Sequence, residues 1–118
     1  MYKLNKMQIF HLKQQQVKDE IIELMKYLGE NIKILVVDDE VYNLMVLQMM
    51  FEKIQQVKIV TAMSAFQGLE TLIANQTGQQ YFQIIIVDIN MPGMDGLQMV
   101  RKMRRMIEAQ EIHDMLIF

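Results

Sequence analysis

At 118 residues the chain is long enough for one compact domain and too short for two ordinary ones. A composition of 52% hydrophobic and 22% charged residues excludes a disordered tail, and a net charge of −2 gives no electrostatic reason to expect nucleic acid or an acidic membrane as partner. The absence of cysteine excludes disulfides and thiolate metal sites. The longest apolar runs, "ILVV" and "IIIV", fall far short of the roughly 18 residues of a membrane span, so a cytoplasmic protein is expected.

The first sixteen residues, "MYKLNKMQIFHLKQQQ", are basic, but lysines and glutamines interrupt them before a signal-peptide core could form. Residues 6–28 read as one amphipathic helix. Met7, Phe10, Gln14, Val17, Ile21, Leu24 and Leu28 recur at steps of three and four, the spacing of a heptad seam. Gly29 follows where a helix C′ residue is expected. Residues 1–30 are therefore set apart as an N-terminal helix. A helix packed on its own domain and a coiled coil with a second chain, which would make a homodimer, fit this pattern equally. His11 on this helix lacks the acidic neighbour and later proline of a phosphodonor histidine and reads as an ordinary helix residue.

From residue 32 the period changes. "IKILVVDDE" is a short apolar strand ending in acids, and "VYNLMVLQMMFEKI" is a helix with Leu44, Leu47 and Phe51 at helical spacing. "VKIVTA" is a second strand. Ser64 and Gln67 have the spacing of a capping box and open a helix over "SAFQGLETLIA". After a polar loop, "NQTGQQ", comes a third strand, "YFQIIIVD". Asp95 and Gln98 repeat the capping-box spacing and open the helix "LQMVRKMRRMIEA". "MLIF" begins a fourth strand. Strands alternating with helices, two of them apolar throughout, call for a parallel sheet covered on both faces. The 13 methionines read as soft core filling. His113 carries no pattern, and "RKMRR" reads as a solvated helix face.

In an open parallel sheet, ligands lie beyond the carboxyl ends of the strands. Asp38 and Asp39 end the first strand and Asp88 ends the third, so neighbouring strands would bring three carboxylates to one edge. Like charges at that separation raise one another's pKa unless a cation compensates. An all-oxygen donor set without nearby His or Cys suits Mg²⁺. A carboxylate beside such an ion can attack a phosphoryl group and become an aspartyl phosphate. The plain alternative is that these acids only cap helices and solvate loops.

"KILVVDDE" followed about fifty residues later by "VDINMPGMDG" resembles the receiver domain of two-component response regulators and hybrid histidine kinases. The likeness runs from about residue 32 to the last, which sets 31–118 apart as a partial receiver. It implies a flavodoxin-like (CheY-like) α/β fold with strand order 2-1-3-4-5 and helices on both faces. It further implies that Asp88 is the phosphoacceptor and that Asp38 and Asp39, with Asp88 and the backbone carbonyl of Asn90, hold Mg²⁺. The partner it implies is a histidine kinase or phosphotransfer protein. Met91, Pro92 and Gly93 would shape the loop after the acceptor, Gly96 would help turn the chain into the next helix, and Asn43 stands where the family often has an asparagine.

The family pattern continues beyond "DMLIF" with a Ser or Thr at the fourth strand's end, a fifth strand ending in Lys, and two more helices. The expectation is thus a truncated sheet, order 2-1-3-4, lacking the fifth strand and last two helices. Phosphoryl contacts worth about 10²–10³ in rate would be lacking, and the fourth strand would be an exposed edge. The amphipathic N-terminal helix is expected to cover part of the uncovered apolar surface. The function expected is a phosphoacceptor module, a signalling substrate more than an enzyme. Its alternative is a non-phosphorylated interaction module. A phosphohydrolase of the haloacid-dehalogenase kind would need a second Asp where Asn90 stands.

Overall fold

A computed structural model describes residues 6–28, 31–77 and 81–118, without the side chains of residues 6, 7 and 9. The side chain of Met7 is not described, and the cap at Gly29 and the end of the polar loop lie outside the described residues.

The elements in chain order are α1 (Lys6–Leu28), β1 (Ile32–Val37), α2 (Val41–Phe51), β2 (Val57–Ala62), α3 (Ala65–Ala74), β3 (Ile84–Val87), α4 (Gly96–Glu108) and β4 (Leu116–Ile117). The strands form one sheet in the order β2-β1-β3-β4 with every pairing parallel. This is the flavodoxin-like order read from the sequence.

Strand period assigns the two faces. Ile32, Ile34 and Val36 of β1, with Ile84 and Ile86 of β3, pack against Leu44, Leu47 and Phe51 of α2 and against Ile21 of α1. Leu35, Val37 and Ile85 point the other way, into a cluster with Leu69 and Leu72 of α3 and Met99, Met103 and Met106 of α4. All six β1 residues are buried, as expected of a central strand covered on both sides. Methionine fills the α4 side of this core, while Met45, Met49 and Met63 stand exposed.

α1 lies on the α2 face. Ile21 is fully buried there, and Phe10, Val17, Met25 and Leu28 pack against the same cluster. With half-buried Gln14, the inward positions are 10, 14, 17, 21, 25 and 28. Their steps average about 3.6, the period of a straight helix, where a two-stranded supercoil needs about 3.5. Met25 therefore takes the inward place that a strict heptad gives to Leu24.

Two boundaries differ from expectation. α2 ends at Phe51, and a turn reaches β2 through Gln56, whose φ is 69°. β3 begins at Ile84: Tyr81 stacks on His113 with ring centres 4.0 Å apart, Phe82 is fully buried, and although the Gln83 backbone bonds to Lys33 and Leu116, its side chain accepts from the Lys33 N–H at 2.7 Å. Among the described residues β4 pairs with β3 alone, and its Leu116 is 39% exposed.

Candidate acidic site at the strand ends

The sheet register carries Asp38 and Asp88 to the same edge. Val37 and Val87 are partners across β1 and β3, so each acid is the next residue beyond its strand. The Asp88 N–H donates to the Val37 carbonyl at 2.9 Å, and the Asp38 N–H to the Ala62 carbonyl of β2 at 3.1 Å. Backbone on both flanks therefore fixes Asp38. One carboxylate oxygen from each of Asp38, Asp39 and Asp88 lies within 4.8 Å of the others.

These acids differ in environment. Asp38 is only 4% exposed, whereas Asp39 and Asp88 are half-buried. Asp38 Oδ1 accepts from the Glu40 N–H at 2.9 Å, and its Oδ2 accepts from the Asn43 amide at 3.0 Å. Burial pushes the Asp38 carboxyl above its ordinary value. The Glu40 and Asn43 donors pull it down, and the charges of Asp88 and Asp39 push it up further. The Asn90 N–H donates to Asp88 Oδ1 at 3.3 Å. Asp88 Oδ2 has no hydrogen bond among the described residues.

The chain after Asp88 is shaped by specific demands. Met91 is buried in the α3–α4 core and anchors the loop. Gly93 adopts φ 76°, a conformation that side chains disfavour. A Cβ on Gly96 would run into the Asp88 carbonyl oxygen, and the Gly96 N–H donates to the Ile89 carbonyl at 3.1 Å. Glycine is needed there because α4 starts against the backbone of the acid itself. Asp95 and Gln98 form a complete capping box at 2.8 and 3.0 Å. Ser64 caps α3 through the Gln67 N–H at 3.1 Å, but Gln67 returns its side chain to the Met63 N–H, one residue earlier than a box requires.

A cleft of about 440 Å³ opens beside Asp38 and Asp88. Asp38, Asn43, Asp88 and Asn90 line it together with Phe10, Lys13 and Gln14 of α1. The α1 contribution was not read from the sequence. Its one hint is Gln14, a polar residue on an otherwise apolar seam. His11 instead lines an apolar groove with Tyr42, Met45 and Met49. Arg101, Lys102, Arg104 and Arg105 are exposed along α4 while Met103 is buried, the arrangement of a solvated helix face.

The donor set fits a hard divalent cation. Every group is oxygen, the carboxylates are close enough to share one ion, and the charge on Asp38 is disfavoured by burial and by two neighbouring acids. Among the described residues no helix is long and apolar enough to cross a membrane.

The family model of the response regulator receiver domain matches residues 34–113, more than half of the chain. The sensory/regulatory protein RpfC of Xanthomonas campestris pv. campestris is 36% identical over 76 residues, which cover 64% of this chain and 10% of that protein. The two-component response regulator ARR22 of Arabidopsis thaliana is 32% identical over 89 residues, covering 75% of this chain and 58% of that one. The chain thus spans a tenth of one relative's length and just over half of the other's. Among solved structures, the receiver domain of the Arabidopsis thaliana histidine kinase CKI1 complexed with Mg²⁺ and BeF3− superposes with a TM-score of 0.66 at 21% identity, over 75% of this chain and 64% of that one. A response regulator receiver domain protein of Clostridium thermocellum gives a TM-score of 0.59 at 26% identity, over 73% and 61%.

Proposed function

This chain belongs to the response regulator receiver domain family of two-component systems, and from that premise we propose that it accepts a phosphoryl group on Asp88 from a phosphohistidine of a histidine kinase or phosphotransfer protein. The observation that carries the reading is the meeting of Asp38, Asp39 and Asp88 at one sheet edge from positions fifty residues apart. In this reading residues 31–118 are the receiver and residues 1–30 its N-terminal cover. Burial of Ile21 against β1 and α2 supports that division.

Asp38, Asp39, Asp88 and the Asn90 carbonyl would hold Mg²⁺, whose charge offsets the negative charge spread over the transferring oxygens. The remaining work belongs to the chain. The Val37 carbonyl and the Asn90 N–H fix Asp88, so its free Oδ2 can approach phosphorus in line with the leaving nitrogen. As the P–Oδ2 bond forms, the P–N bond of phosphohistidine breaks, and its electron pair returns to the imidazole, which takes a proton. Asn43 and the Glu40 N–H hold Asp38 ionised against its burial, ready to serve as a ligand. The product is a signal carried on the protein, so the module is a substrate that assists its own modification.

Incubation of the full chain with acetyl phosphate and Mg²⁺, read on a phosphate-affinity gel, tests the reading. A shifted band is expected for wild type and none for Asp88→Ala. A wild type that never shifts, while folded, rejects phosphoacceptance and leaves the family's sheet as an interaction module.

A further inference from the structure

Two of the three clustered carboxylates, Asp38 and Asp88, line the cleft, and the one described lysine on its walls is Lys13, from a helix that precedes the sheet in sequence. We propose that Lys13 contacts the phosphoryl oxygens on Asp88, so that α1 forms a working wall of the acceptor site; this rests on the phosphoacceptor reading.

Three observations carry it. Lys13 lines the same cleft as Asp38, Asn43, Asp88 and Asn90, is exposed, and makes no ion pair among the described residues. Its neighbour Gln14 stands on that wall with Oε1 buried and without a hydrogen-bond partner. A buried amide oxygen left unpaired is costly, so this wall carries a polar group that the folded chain itself does not satisfy. The position of Lys13 is also fixed from below. Phe10 and Val17 pack on the core to either side of it, and Ile21 anchors the helix two turns on, so its four-carbon stem starts from a fixed place on the cleft wall.

The chemistry follows from charge. A phosphoryl group on Asp88 adds anionic oxygens beside two further acids. A mobile cation within stem reach is drawn to them, and the contact strengthens as charge builds on those oxygens during transfer. Before transfer the same ammonium repels a divalent cation from the acids, so it weakens Mg²⁺ binding in the unmodified chain.

The test uses the full chain as wild type, Lys13→Gln, Lys13→Arg and Lys53→Gln, the last removing the same charge from an exposed position outside the cleft. Rates of phosphorylation by acetyl phosphate at saturating Mg²⁺ are measured alongside Mg²⁺ affinity of the unmodified protein. Lys13→Gln is expected to slow phosphorylation by about tenfold or more while binding Mg²⁺ more tightly. Lys13→Arg should recover most of the rate, and Lys53→Gln should match wild type. A helix merely loosened by the substitution would slow the reaction and weaken Mg²⁺ binding together, with Arg no better than Gln, and that pattern overturns the inference. Asp88-dependent phosphorylation indifferent to residue 13 also overturns it while leaving the acceptor reading intact. A wild type with no Asp88-dependent phosphorylation removes both.

Discussion

At Asp38 opposing effects act on one carboxylate. Burial raises its pKa above the ordinary 3.8, and Asp88 and Asp39 add to that, while the Glu40 N–H and the Asn43 amide pull it back without cancelling it. A carboxyl whose folded pKa is raised binds more protons folded than unfolded. Its linkage therefore favours the fold at low pH, and stability declines as pH rises from about 4 through the raised folded value. At neutral pH without a cation, ionised Asp38 is a net liability. Asp38→Asn keeps an oxygen for the Glu40 N–H, meets Asn43 with an N–H for which the Asn43 amide turns over to accept, and removes the charge. It should melt a few degrees higher than wild type at pH 7 in chelator, with the gap closing toward pH 4. Thermal melts across that range check this, and equal or lower melting at pH 7 would refute it. On the proposed reading, stability at this residue is given up for ligand binding, a common pattern at functional sites.

At the scale of elements α1 is the instructive case. Its amphipathic pattern was legible, but a seam of threes and fours does not say whether its partner is a second chain or the helix's own sheet. In the structure the apolar side packs on the sheet's own core, with Met25 in place of Leu24 turned inward. Ile21 is the residue that commits the helix, since it is fully enclosed by side chains from β1, α2 and β3. Ile21→Ala leaves a cavity there and should cost about 2–5 kcal/mol, read as a lower urea midpoint with unchanged slope. A loss below about 0.5 kcal/mol, the scale of surface changes, would mean that α1 does not hold to this face. The shortened β3 was illegible for a related reason: "YFQ" looks like strand, yet Phe82 enters the core and the Gln83 side chain takes over a backbone bond.

Across the whole molecule, the strand-end acids and the loop after them were readable because their spacing is local to each strand, and the alternation of elements called for a parallel sheet, whose strand order came from the resemblance to receiver domains. The wall that α1 lends to the cleft was not, because nothing in a sequence relates residue 13 to residue 38 before the fold does. The same fact governs ligand linkage. Asp38 and Asp88 come together only when β1 and β3 pair at Val37 and Val87, so the unfolded chain offers no comparable site. Binding of Mg²⁺ to the folded form alone adds RT ln(1 + [Mg²⁺]/Kd), about 2.7 kcal/mol at a hundredfold excess over Kd. For a domain of this size that is a rise in Tm of roughly 8–14 °C. The increment should shrink as pH falls, because protons compete for the carboxylates and burial makes Asp38 take one up above the ordinary carboxylate range. Asp38→Asn should abolish the increment at every pH while keeping its own higher baseline. Scanning calorimetry with Mg²⁺ at pH 7.5 and 5 checks this, and an increment that survives Asp38→Asn would place the cation outside the strand-end site.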